Sequence, residues 1–66
     1  MMTAAEPRVE LNGRYSVSEA AALLGLHRNT VTRLAERRIL KGGRHRHNGR
    51  RFFTGRELLM FWQAQL

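Results

Sequence analysis

Ten of the twelve Lys and Arg residues of this 66-residue chain fall between Arg28 and Arg56, where the sole carboxylate is Glu36. Guanidinium groups at that density suit the phosphodiester above other ligands, because each offers a planar fork of N–H donors that matches two phosphate oxygens. A duplex carries one negative charge per ~1.7 Å of axis, so cations gathered on adjoining elements are what its neutralisation requires. The same stretch holds residue types that read base edges. Arg28 and Arg33 can bond guanine O6 and N7 in a bidentate way, Asn29 can do the same for adenine N6 and N7, and the methyl of Thr32 can touch the thymine methyl. Arginine outnumbers lysine eleven to one, which favours bidentate contacts and equally fits a GC-rich coding genome.

Histidine offers a second chemistry. His45 and His47 sit at His-x-His spacing, which on a strand puts both rings on one face, and with His27 they raise the idea of a metal-dependent nuclease. The chain has no Asp, and no Glu lies near the His pair in sequence, so the hard oxygen ligands that Mg²⁺ takes are scarce. A zinc site of three histidines needs no carboxylate, but histidines on a phosphate-binding ribbon account for these positions more simply. We therefore expect no enzyme, no metal and no cofactor. An RNA reader of single strands needs an aromatic platform, and Phe52, Phe53, Phe61 and Trp62 are assigned mostly to packing.

Composition bounds the rest. Net charge is +7 and sequence pI about 11.8, yet 42% of residues are hydrophobic, too many for a disordered basic tail. One small domain is expected, with a lone core worth no more than ~3–5 kcal/mol at this size. There is no cysteine, hence no disulfide and no Cys-based zinc site. No apolar run approaches the ~18 residues of a membrane span, and the opening Met-Met-Thr-Ala-Ala-Glu-Pro lacks the regions of a signal peptide. The expectation is a cytoplasmic, DNA-associated protein with no membrane partner.

These side chains need elements to position them. Residues 1–13 show no sustained period and are expected to form a flexible N-terminal tail, with Asn12-Gly13 as a possible hairpin turn between Val9-Leu11 and Tyr15-Val17. Ser16-Val17-Ser18-Glu19 is an S-x-x-E capping box. It predicts a helix from Val17 whose face carries Ala20, Ala21, Leu23 and Leu24, stopped by Gly25. A second helix is expected from Arg28 to about Arg37 with Val31, Leu34 and Ala35 inward and Arg28, Asn29, Thr32, Arg33 and Glu36 outward. Two short helices joined through Gly25 and Leu26 make a helix-turn-helix. Asn48-Gly49 is a strong two-residue type I′ turn signal, which predicts a hairpin with His47 facing Arg50, Arg46 facing Arg51, His45 facing Phe52 and Arg44 facing Phe53. Like charges opposite one another destabilise such a ribbon unless phosphate lies beside it. Thr54-Gly55-Arg56-Glu57 is a second capping box, opening a last helix with Leu58, Phe61, Trp62 and Leu66 inward. Leu59, Met60 and Leu66 would extend its apolar surface towards a protein partner.

The run Tyr15-Ser16-Val17-Ser18-Glu19-Ala20-Ala21-Ala22-Leu23-Leu24-Gly25-Leu26, then Thr30-Val31 and Arg33-Leu34, resembles the excisionase type of MerR-like winged helix-turn-helix domain. The arginine-rich wing, Phe53 and Glu57-Leu58 through Trp62 fit the remainder, so the resemblance spans about residues 14–63. His27 stands where the family usually has a serine cap, which would leave the second helix poorly capped. Thr32 replaces a common aromatic, and Lys41 a frequent proline. The resemblance implies a mostly α fold with a small β-hairpin wing, a winged helix-turn-helix over residues 14–66. It implies major-groove contacts from Arg28, Asn29, Thr32 and Arg33, and wing contacts from Arg44, Arg46, Arg50 and Arg51. Ser18, Arg37 and Lys41 are expected to add phosphate contacts. Longer MerR-type regulators add a dimerising helix and an effector domain. A module by itself looks more like a phage excisionase, or recombination directionality factor, which loads onto repeated sites in a bacterial host, bends DNA and steers an integrase towards excision. Expected partners are double-stranded DNA, neighbouring copies and a phage-type integrase. A small MerR-like transcriptional regulator is the alternative.

Overall fold

Two short sequence signals place the first helix. The computed structural model describes residues 6–65, and in it Ser16 Oγ accepts from the Glu19 N–H at 3.1 Å while Glu19 Oε1 accepts from the Ser16 N–H at 2.9 Å. This reciprocal box satisfies donors that the helix itself leaves open, and α1 (Val17–Leu24) follows. It stops at Gly25, φ 69°, a left-handed conformation that only a residue without Cβ adopts freely. There Leu26 N donates to Ala21 O and Gly25 N to Ala22 O, and the chain turns Leu26 against the core. Next comes α2 (Arg28–Glu36), with Val31 and Ala35 buried. Its start corrects the expectation of a poor cap. His27 takes the N-cap position and its Nδ1 accepts from the Asn29 N–H at 3.1 Å, a service that a ring with its proton on Nε2 can perform as a serine hydroxyl would.

The sheet has three strands, one more than expected. β1 (Arg14–Ser16), β2 (Gly43–Arg44) and β3 (Arg51–Thr54) lie in the order β1-β3-β2, antiparallel throughout. Tyr15 pairs with Phe53 of the central strand β3, so β1 runs from the edge of the sheet directly into the α1 cap. The hairpin forms at Asn48-Gly49 but in another register. Gly43 pairs with Phe52, Arg44 with Arg51, and His45 N donates to Arg50 O at 2.9 Å. The loop is thus Arg46–Gly49, closed by Gly49 N to His45 O at 2.8 Å. A type I′ turn needs positive φ at both central residues, whereas only Gly49 has it. Asn48 spends its side chain otherwise: Oδ1 accepts from the Arg50 N–H at 2.9 Å. Because the register moves by two residues rather than one, every side chain keeps its face.

α3 (Gly55–Ala64) is capped by Thr54, whose Oγ1 accepts from the Glu57 N–H. Its other first-turn donors find partners upstream. Gly55 N donates to Gly13 O and Arg56 N to Leu11 O, within a turn closed by Gly13 N to Glu10 O. The Tyr15 hydroxyl accepts from Glu10 N at 2.8 Å, Pro7 is buried, and Val9 packs on the core. A Cβ at Gly55 would overlap Glu10 O, so glycine is what lets this segment cross the helix start. The expected tail of residues 1–13 therefore does not describe residues 7–13, and the Asn12-Gly13 segment leads into β1, which pairs with β3 rather than forming a hairpin with residues 9–11. Residues 1–5 lie outside the described residues. The core is centred on Leu24, Val31, Leu40, Phe53 and Leu58, all essentially inaccessible, with Phe61 and Trp62 closing it. No helix among the described residues is long and apolar enough to cross a membrane.

Candidate nucleic-acid interface

Burial of Val31 and Ala35 decides which way α2 faces. With those two inward, Arg28, Asn29 and Arg33 are exposed and Thr32 is half-buried, grouped on one side by the i, i+4 spacing of Arg28 with Thr32 and of Asn29 with Arg33. The Thr32 hydroxyl donates to Arg28 O at 3.1 Å and is thus engaged within the helix. Exposed Arg and Asn on the solvent side of a helix packed on the core have the reach that major-groove contacts need.

The wing joins this face at its root. Arg50 and Arg51 share an open cleft with Ser16, Val17, Ser18 and Arg28, so four expected contact residues, Ser18, Arg28, Arg50 and Arg51, come together from three elements and a loop. Arg44 faces Arg51 across the ladder and its Nη1 donates to Gly49 O at 2.9 Å, bracing the wing loop. Lys41 lines a second groove with Arg38 and Arg51. Arg37 and Arg46 are exposed and line neither cleft. Among the described residues no carboxylate pairs with these cations. Glu19 is engaged in the α1 cap. A surface of unpaired guanidinium groups gains most from a polyanion, which replaces mutual repulsion with charge-assisted bonds.

Two contributors lie outside the expected set. The Arg14 guanidinium sits 4.8 Å from the centroid of the Phe52 ring, and His45 stacks on the same ring with centroids 4.6 Å apart. Phe52 thus faces outward and holds Arg14 and His45 against its ring, whereas Phe53 is in the core. Nothing in the sequence near Arg14 signals this, since β1 and β3 bring it there from a distance. Arg38 is the other. Among the described residues no group of three or more His, Cys, Asp and Glu could hold a metal ion; His45 and His47 are neighbours at 5.5 Å between centroids, while His27 caps α2.

The apolar margin of α3 differs from expectation. Leu59 packs against the core, because the helix sinks deep enough to bury one flank. Met60 is 58% exposed and is joined by Ile39 at 53%, both on a shallow groove with Phe61 and Ala64. Leu66 lies outside the described residues.

A family model of the helix-turn-helix domain matches residues 14–66. Among curated proteins and solved structures nothing gives a significant match. Helix, tight turn, second helix with an arginine-rich outer face and a basic wing at its side therefore agree with an independent family match over most of the chain, which belongs to the helix-turn-helix domain family, a family that includes excisionase-like DNA-binding domains.

Proposed function

We propose that this protein is an excisionase-like DNA-binding protein, a recombination directionality factor that binds repeated sites cooperatively, bends them and directs a phage-type integrase towards excision. The observation that carries the DNA part is the cleft where Arg28 of α2 meets Arg50 and Arg51 of the wing beside Ser18. α2 would enter the major groove with Asn29 and Arg33 on base edges, and the wing would follow the adjacent backbone or minor groove. The protein acts by binding, without catalysis or cofactor, in the cytoplasm of a bacterial host. With about five phosphates neutralised, log K falls against log salt with a slope near ~−4.5.

The excisionase part rests on the family match and on the resemblance over residues 14–63. A single short reader covers few base pairs and gains specificity from linked neighbours, and the exposed Ile39 and Met60 offer a neighbour or an integrase an apolar contact. Footprinting of the DNA beside the gene tests the reading, together with gel shifts on one, two and three adjacent sites and sedimentation of the free protein. Protected repeats filled cooperatively, with increasing bend and a monomer off DNA, are the expected result. One protected promoter operator bound by a stable symmetric dimer would instead establish a small MerR-like regulator.

A further inference from the structure

Both helices of the helix-turn-helix end in the same pair of backbone bonds. At the end of α1 these are Gly25 N to Ala22 O and Leu26 N to Ala21 O; at the end of α2 they are Arg38 N to Ala35 O at 3.1 Å and Ile39 N to Leu34 O at 2.9 Å. This ending requires one residue in the left-handed region. At α1 it is Gly25, φ 69°, and at α2 it is Arg38, φ 59°, the one non-glycine residue with positive φ among those described. Any side chain with a Cβ is strained there, and glycine is relieved of that strain. The backbone alone gives no reason for arginine.

Nor does the interior. Arg38 is exposed, and among the described residues its guanidinium meets no partner. It does line an open groove with Lys41 and Arg51 over Ala35, Leu40 and Gly42, a site with three cations and no carboxylate in its walls. Three of the carbonyls that would repel an anion at this helix end are occupied: Arg33 O, Leu34 O and Ala35 O accept N–H donors from residues 37–40. Arg51 belongs both to this groove and to the cleft at the other end of α2. Two basic sites therefore flank the helix, with Arg51 between them.

We propose that Arg38, with Lys41 and Arg51, forms a second phosphate site that takes a DNA backbone phosphate at the C-terminal end of α2, and that the left-handed strain at Arg38 is kept for this contact. The assignment rests on the DNA-binding reading above and on no particular recombination role. It makes function and stability respond with opposite signs to one substitution.

The experiment compares Arg38→Gly, Arg38→Lys and, as a charge-matched control far from the groove, Arg8→Ala, by thermal unfolding and by salt titration of binding to the cognate duplex and to a random duplex. Arg38→Gly should raise Tm by about 4–8 °C and weaken both duplexes alike by about five- to tenfold, with the salt slope smaller by about 0.9. Arg38→Lys should retain most of the affinity, and Arg8→Ala all of it. Unchanged affinity in Arg38→Gly, or a loss no larger than that of Arg8→Ala, overturns the phosphate site while the DNA-binding reading stands. A loss confined to the cognate duplex makes Arg38 a base reader and overturns it too. A lowered Tm overturns the strain argument. Failure of the unsubstituted protein to bind either duplex at low salt removes the parent reading and this proposal with it.

Discussion

The second helix, α2, and the wing carry the same kind of side chain on backbones held in opposite ways. α2 is anchored by buried Val31 and Ala35, capped by His27 at one end and closed by paired backbone bonds at the other. Residues 45–50 bury nothing fully; they are held by His45 to Arg50, Gly49 to His45, Asn48 to Arg50 and the brace from Arg44. Base edges demand placement to within a fraction of an ångström, so their readers belong on the packed element. Phosphates accept cations from many angles, so a ribbon held by polar contacts and by His45 against Phe52, with no fully buried residue, would serve them well. The root of the wing is a different matter, because Phe53 on β3 lies in the core that also carries α2.

That shared root supplies the largest expected effect. Phe53→Ala should cost ~3–5 kcal/mol, comparable to the whole stability of so small a domain, and abolish cooperative unfolding together with binding to any DNA. A thermal transition within about 1 kcal/mol of the original would separate the wing root from the core and end the comparison. Joint replacement of Arg46, Arg50 and Arg51 by Ala should come next, weakening cognate and random duplexes alike and reducing the salt slope by about 2.7, three contacts at ~0.9 each. Stability should hold, since Arg44 and Arg51 repel across the ladder. Unchanged binding would assign the hairpin to protein contact. On α2, Arg33→Ala or Asn29→Ala should cost ~1–3 kcal/mol on the cognate site and little on random DNA; equal losses would reduce both residues to phosphate holders and erase the division of labour. Smallest is the cap, where His27→Ala should lower stability by about 0.5 kcal/mol and His27→Ser should not, as urea unfolding can resolve.

Much of this was readable from residue order where the interaction is local. Ser16 with Glu19, Thr54 with Glu57, and Gly25 after Leu24 each act within one helical turn, so type and spacing suffice. The outward face of α2 was equally legible from Val31 and Ala35. β1 was not, because Arg14–Ser16 is too short to show a period and becomes a strand only through its partners Phe52–Thr54. The wing register escaped for a related reason: Asn48-Gly49 favours a two-residue turn in isolation, but the side chain of Asn48 is committed to Arg50 and β2 pairs lower on β3. His27 as a cap was missed because serine, threonine, asparagine and aspartate dominate that role.

By itself, the sequence determined the charge, the helix boundaries and the identity of the outward arginines, since these follow from side-chain chemistry and from hydrogen bonds spanning a few residues. Only the tertiary structure decided which arginines meet. Arg28 with Arg50 and Arg51, Arg14 with Phe52, and Arg38 with Lys41 and Arg51 are brought together by strand pairing and by the shared core under Phe53. Such contacts between residues distant in the chain depend on the closure of the whole domain and leave no period in the sequence around any one of them.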